Sequence, residues 1–143
     1  MKKRILLVDD EAAITKAIRR NLEATGRFEV MEINNPVIVI ENAHRFKPDL
    51  VLLDVMMPEM DGGDVAAAIA EDPHLTDVPI IFLTGIVSKK EVGPSGSMRG
   101  SHTFLAKPVK FEDLLACIDE QLGTAGLSSP VRNWTNLDLI KRS

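Results

Sequence analysis

The chain has 143 residues, of which 45% are apolar, so it is long enough for one packed domain and too apolar for a disordered chain. Its net charge of −4 argues against nucleic-acid binding through bulk positive charge. The single cysteine, Cys117, cannot form an internal disulfide, and no apolar run approaches the roughly 20 residues of a membrane span. Because there is no signal-peptide pattern either, we expect a cytoplasmic protein that neither binds nucleic acid directly nor inserts into a membrane.

Five short apolar runs recur along the chain and predict five strands. Runs that are apolar at almost every position are typical of strands covered on both faces, as in a parallel sheet. The connections between them are short and helix-like, which favours an α/β domain with right-handed crossovers. In chain order the runs are Ile5–Val8, Phe28–Ile33, Leu50–Leu53, Ile80–Leu83 and Phe104–Ala106.

Apolar residues at helical spacing lie between these runs and predict amphipathic helices. The segment Ser88–Ser101 contains three glycines and a proline, so we expect at most a short, irregular fourth helix there, followed by a mobile loop. About five helices are therefore expected around the sheet. Glycine or proline ends the other helices, at Gly26, before Pro48, near Pro73 and at Gly123.

Polar side chains stand at the carboxyl ends of the first, third, fourth and fifth predicted strands. Asp9 and Asp10 follow the first strand, Asp54 the third, Thr84 the fourth and Lys107 the fifth. Because the carboxyl ends of parallel strands share one edge of a sheet, we expect these residues to converge in one crevice. Gathered carboxylates repel one another, and a hard divalent cation such as Mg²⁺ offsets that repulsion. With a lysine and a hydroxyl donor, these groups suffice for phosphoryl transfer to a carboxylate.

Four sequence blocks contain these residues: ILLVDDE at 5–11, DLVLLDVMMPEMDG at 49–62, FLTG at 82–85 and FLAKP at 104–108. In this order and at strand ends, the blocks resemble the signature of two-component response-regulator receiver domains. The resemblance extends over residues 3–122, which is most of the chain.

The resemblance implies a doubly wound α/β fold with a five-stranded parallel sheet in strand order 2-1-3-4-5. It predicts a receiver domain at residues 1–123 and a C-terminal tail or linker at 124–143. The chain is then expected to be either a stand-alone receiver or a fragment of a larger regulator or hybrid kinase.

The resemblance also implies a role for each residue at the crevice. Asp54 is expected to be the phosphoacceptor, and Lys107 to pair with Asp54 or with its phosphoryl group. A Mg²⁺ ion, for which Mn²⁺ can substitute, is expected to bind Asp10 and Asp54 directly and Asp9 through water. Met56 is expected to offer its backbone carbonyl to the same ion.

The resemblance further implies which residues move when the domain is phosphorylated. Thr84 is expected to turn inward and bond the phosphoryl oxygen, and Phe104 to move inward with it. The peptide bond between Lys107 and Pro108 is expected to be cis, which is rare outside X–Pro sequences.

Two apolar residues bear on the lifetime of the phosphorylated state. In the resembling family, the positions of Met56 and Ile86 flank the path of the water that hydrolyses the aspartyl phosphate. Neither side chain can orient water by a hydrogen bond. We therefore expect a relatively long-lived phosphorylated form.

The implied function is a signalling switch. It accepts a phosphoryl group from a sensor histidine kinase or a histidine phosphotransfer protein, and the added charge alters the binding of a downstream protein or promotes a homodimer. Water then removes the group. The only catalysis expected is transfer to, and hydrolysis from, the chain's own Asp54, without turnover of an external substrate.

Several alternatives compete with this interpretation. Aspartates after strands often form turns or cap helices, and Asp10 is a plausible cap for the first helix. A phosphatase with an aspartyl nucleophile has a second aspartate two residues later, where this chain has Met56. A nucleotide- or flavin-binding domain has a glycine-rich loop after its first strand, where this chain has Asp-Asp-Glu. A degenerate receiver that serves as a phosphorylation-independent scaffold is the remaining alternative.

Overall fold

A computed structural model describes residues 2–55, 57, 62–84, 97–99 and 102–123. These residues contain one six-stranded sheet. Its strands are β1 (Lys3–Val8), β2 (Phe28–Ile33), β3 (Leu50–Asp54), β4 (Ile80–Thr84), β5 (Ser97–Arg99) and β6 (His102–Ala106).

The strands lie in the order β2-β1-β3-β4-β6-β5. The first five in this order pair in parallel, with β3 in the centre between β1 and β4. Since β6 is the fifth predicted strand, this confirms the predicted parallel sheet of order 2-1-3-4-5. The carboxyl ends of these five strands therefore lie along one edge.

The additional strand β5 was not predicted. It runs antiparallel to β6, and its residues fall within the segment Ser88–Ser101, where a loop was expected. The difference has a physical reason, because the outer edge of β6 offers backbone groups that an extended segment can pair with. The short fourth helix was expected within the same segment, Ser88–Ser101, whose first part belongs to residues 85–96, outside the described residues.

Four α-helices flank the sheet in the described part of the chain. They lie where apolar spacing predicts them, and Gly123, with a φ of 68°, ends the last one in the left-handed conformation that glycine favours. Within the same ranges, no helix is both long enough and apolar enough to cross a membrane. The helices are α1 (Ala12–Ala24), α2 (Val39–Phe46), α3 (Gly62–Glu71) and α4 (Phe111–Leu122), and a 3-10 turn at Pro36–Ile38 precedes α2.

The sheet separates two apolar cores, because successive residues of a strand face opposite sides. Leu6 and Val8 pack with residues of α2 and α3, whereas Ile5 and Leu7 pack with residues of α1 and α4. Both faces of β1 are thus covered, which explains why its run is apolar.

Cys117 of α4 lies in the second core, the one that contains Ile5 and Leu7. Burial raises the pKa of its thiol to about 12, so it packs as a neutral group.

Gly62 begins α3 in close contact with the end of β3. Its N–H donates to the carbonyl oxygen of Val55 at 2.8 Å. A Cβ atom at this position would lie 2.6 Å from the carbonyl oxygen of Asp54 and 2.8 Å from Cα of Val55. Backbone atoms cannot yield as a flexible side chain can, so only glycine fits between α3 and the last residue of β3.

We predict that Gly62→Ala destabilises the protein by about 1–3 kcal/mol, because the added methyl group overpacks the contact between α3 and β3. Gly62 is the first residue of α3, so the gain of about 1 kcal/mol that alanine brings to a helix interior does not offset this loss. Urea unfolding measures the change. The matched control is Gly63→Ala in the same helix, where the position is exposed and no loss is expected. Equal stabilities of the two variants would contradict the prediction.

Candidate functional site

Polar side chains gather in one crevice at the carboxyl edge of the sheet. Asp9 and Asp10 follow β1, Asp54 ends β3, Thr84 ends β4 and Lys107 follows β6. Carboxylate oxygens of the three aspartates all lie within 4.8 Å of one another. The structure therefore brings together residues that are up to 98 positions apart in the sequence.

The aspartates differ in their exposure to solvent. Asp9 is 0% exposed and Asp54 is 3% exposed, whereas Asp10 is exposed. A buried carboxylate is stable in its charged form only when it is paired or hydrogen-bonded. The two buried aspartates therefore need a cation close by.

Lys107 supplies that cation. Its Nζ atom lies 2.8 Å from Oδ2 of Asp9 and 3.1 Å from Oδ1 of Asp54, and 3.8 Å from Oε1 of Glu11. Burial by itself lowers the pKa of Lys107, but the hydrogen bonds and charges of Asp9 and Asp54 raise it above its ordinary value. Lys107 is therefore positively charged at neutral pH.

The backbone of Lys107 is also attached to the site. Its N–H donates to the carbonyl oxygen of Thr84 at 2.8 Å, which continues the pairing of β6 with β4 by one residue. The peptide bond between Lys107 and Pro108 is cis, at the position where the sequence predicts it.

Asp9 has a second role as a turn former. Its Oδ1 atom accepts a hydrogen bond from the N–H of Glu11 at 3.0 Å, just before α1 begins. Asp10 does not cap α1, because the N-cap residue is Glu11 and no side chain caps this end of the helix. The other carboxylate oxygen of Asp9 contacts Lys107. Asp9 is thus both a turn former and a residue of the site. The interpretation of these aspartates as turn formers therefore does not exclude a functional role.

Phe104 lies beside the site on β6 and is half-buried. Its ring stacks on that of Phe82, the residue opposite it on β4, with 4.9 Å between the ring centroids and 18° between the ring planes. The inward movement expected of Phe104 remains a prediction. Met56, Ile86 and the tail 124–143 lie outside the described residues.

The sequence patterns did not single out Asn34, which also contacts the site. Asn34 follows β2 at the same edge, and its Nδ2 atom donates to the carbonyl oxygen of Asp9 at 2.7 Å and to Oγ1 of Thr15 at 3.1 Å. Its place in the sequence could have identified it. Asn34 follows the second predicted strand, and polar residues that follow parallel strands converge at one edge of the sheet.

Comparison with known structures agrees with this fold. The chemotaxis protein CheY4 of Vibrio cholerae superposes with a TM-score of 0.73 at 27% sequence identity, over 85% of this chain and 100% of that one. Among curated proteins, the polar-differentiation response regulator DivK of Brucella anthropi is 28% identical over 87% of this chain and 100% of its own length.

Longer proteins are also similar. The DNA-binding dual master transcriptional regulator RpaA of Synechocystis is 32% identical over 96% of this chain but only 58% of its own length. The chain spans about half the length of several other curated relatives. The family model of the response regulator receiver domain matches residues 5–119, most of the sequence. The chain therefore belongs to the response regulator receiver domain family, whose members act in two-component signalling.

Proposed function

We propose that the chain is a phosphorylation-dependent switch in which Asp54 accepts a phosphoryl group from the phosphohistidine of a sensor histidine kinase or a histidine phosphotransfer protein. One observation carries this proposal: Asp54 is only 3% exposed, and its carboxylate lies 3.1 Å from a charged lysine beside two further carboxylates. In the transfer, an Asp54 oxygen bonds to phosphorus while the phosphorus–nitrogen bond breaks. The imidazole takes up a proton and leaves as a neutral ring.

Lys107 and Thr84 are proposed to stabilise the new phosphoryl group. Lys107 already contacts Asp54 and is charged at neutral pH, so it offsets negative charge on the transferred oxygens. Thr84 ends the neighbouring strand, and we propose that its hydroxyl turns inward to donate to a phosphoryl oxygen. Phe104 then follows this movement.

The acidic cluster fits a magnesium ion. Its donors are all carboxylate oxygens, which Mg²⁺ prefers, and a single nearby lysine cannot neutralise three carboxylates. We propose that Asp10 and Asp54 bind the ion directly, Asp9 through water, and Met56 through its carbonyl oxygen, with Mn²⁺ as a substitute. When bound, the ion supplies positive charge that offsets the charge of the transferring group.

The output is proposed to be a change in partner binding. The phosphoryl group adds negative charge next to Lys107 and Thr84, at the ends of β6 and β4. This charge favours the conformation in which Thr84 and Phe104 have turned inward over the one in which they have not. The partner is a downstream protein or a second copy of the chain, and hydrolysis of the aspartyl phosphate resets the switch. We place this cycle in the cytoplasm, where histidine kinases obtain ATP.

The proposed chemistry predicts that wild-type protein incubated with acetyl phosphate and Mg²⁺ gains the mass of one phosphoryl group, and that Asp54→Asn gains none. The reason is that the amide is not a competent nucleophile for phosphorus. Intact-mass spectrometry measures the gain, and omission of Mg²⁺ serves as the control. A wild type that stays unmodified would instead support a phosphorylation-independent scaffold.

For the metal, we predict that Asp10→Asn raises the melting temperature in EDTA, because it relieves repulsion among gathered carboxylates. Added Mg²⁺ is expected to raise the melting temperature of the wild type but not of the variant. Thermal unfolding with and without Mg²⁺ measures both effects. Asp77→Asn, an equal charge change at an exposed position in the loop before β4, is the control and should respond to Mg²⁺ like the wild type.

For the lifetime, we predict that Met56→Asn combined with Ile86→Glu accelerates loss of the phosphoryl group by about tenfold, because polar side chains can orient the attacking water. Decay of phosphorylated protein after removal of the phosphodonor measures the rate. Met56→Leu combined with Ile86→Val keeps both positions apolar and should decay like the wild type. Equal decay of all three proteins would refute the assigned role of these positions.

A further inference from the structure

A chain of hydrogen bonds connects the surface of α1 with the backbone of Asp9. Arg19 contacts Glu32 of β2, with 3.3 Å between Nη1 and Oε2. The other carboxylate oxygen of Glu32 accepts from Oγ1 of Thr15 at 2.9 Å. Asn34 then bridges Thr15 and the carbonyl oxygen of Asp9. This chain lies beside the acidic cluster but includes none of its carboxylates.

Thr15 is the buried centre of this chain. It lies on α1 and is 0% exposed, in a position where an apolar residue would be ordinary. A buried hydroxyl is unfavourable unless it is hydrogen-bonded. Oγ1 of Thr15 meets this requirement, because its single proton has two acceptors within reach, Oε1 of Glu32 at 2.9 Å and the carbonyl oxygen of Ala12 at 3.1 Å. Its oxygen in turn accepts from the Asn34 amide at 3.1 Å.

The orientation of the Asn34 amide follows from its partners. A carbonyl oxygen can only accept, so the amide must turn its NH₂ group, and not its oxygen, towards Asp9. The NH₂ group has two protons, and its two acceptors are the Asp9 carbonyl oxygen at 2.7 Å and the Thr15 hydroxyl oxygen at 3.1 Å. Both protons are therefore used, and the amide has one favourable orientation.

The carbonyl group that Asn34 holds belongs to the peptide unit between Asp9 and Asp10. Because a peptide unit is planar, fixing its oxygen also fixes the direction in which Cα of Asp10 leaves the strand. The N–H of Asp9 is held at the same time by the carbonyl oxygen of Ile33 at 3.1 Å. Asp10 itself is exposed.

We propose that Asn34, braced by Thr15 and Glu32, is a positioning residue that holds the Asp9–Asp10 peptide so that the Asp10 carboxylate faces the acidic cluster. This proposal rests on the proposed function, in which Asp10 binds Mg²⁺. Asn34 is not itself a ligand. Its contribution is preorganisation: the peptide is ordered before the ion arrives, so that binding does not have to supply the ordering.

The test compares two neighbouring asparagines. Asn34→Ala removes the donor to Asp9, whereas Asn35→Ala removes a side chain that accepts from the N–H of Val37 at 3.0 Å in the 3-10 turn. Isothermal titration with Mg²⁺ measures the dissociation constant, and melting in EDTA measures the stability of each variant without metal. We expect Asn34→Ala to weaken Mg²⁺ binding by about threefold to tenfold, the worth of one hydrogen bond, and Asn35→Ala to leave it unchanged.

Thr15 provides an independent check. Thr15→Val keeps the shape and burial of the side chain but removes the hydroxyl, and should weaken Mg²⁺ binding in the same direction as Asn34→Ala. Thr15→Ser restores the hydroxyl and should recover the wild-type affinity, even though its lost methyl group lowers stability. Val30→Ala, which opens a cavity in the core beside α1, controls for a loss of stability alone.

The outcomes separate the two proposals. Mg²⁺ binding by the wild type, with equal affinities of Asn34→Ala and Asn35→Ala, overturns the positioning role and leaves the proposed function standing. A wild type that binds no Mg²⁺ overturns both. Weakened binding by Thr15→Val and Val30→Ala alike, in proportion to lost stability, also overturns the positioning role, because a loosened fold then explains the effect.

Discussion

The contact of Lys107 with two buried aspartates is the interaction on which the rest of the site depends. Asp9 comes from the first strand and Asp54 from the neighbouring third strand, and neither carboxylate could remain charged at its level of burial without a cation. The lysine reaches both from the far side of β4. One side chain thus ties together three strands of the sheet and places a positive charge beside two buried carboxylates.

The sequence was sufficient to predict the parallel sheet because its signal is local. Leu50–Leu53 is apolar at every position, which is typical of a strand covered on both faces. The convergence of Asp9, Asp54 and Lys107 then follows from topology rather than from spacing. The run Val37–Ile40 is β-branched, which favours a strand, yet Val39 and Ile40 begin α2, where the apolar helical spacing predicts a helix.

Other features of the structure depend on residues that are distant in the sequence, so the local sequence pattern does not indicate them. Ser97–Arg99 becomes a strand because β6 lies beside it, whereas the glycines and proline around it indicate a loop. The need for glycine at position 62 comes from the backbone of Asp54 eight residues earlier in the chain. Thr15 looks like an ordinary helix residue until the structure shows Asn34 and Glu32 against its hydroxyl. Pairwise geometry of this kind requires the fold to be known first.

The short antiparallel strand β5 has a consequence for self-association. Without it, β6 would end the sheet with a five-residue row of unpaired amides and carbonyls, a suitable template for a strand of another molecule. With it, the described sheet ends on this side in a strand of only three residues, which offers an incoming strand little to pair with. Open-ended growth of sheets from this side, the route to fibrillar aggregates, is thereby discouraged.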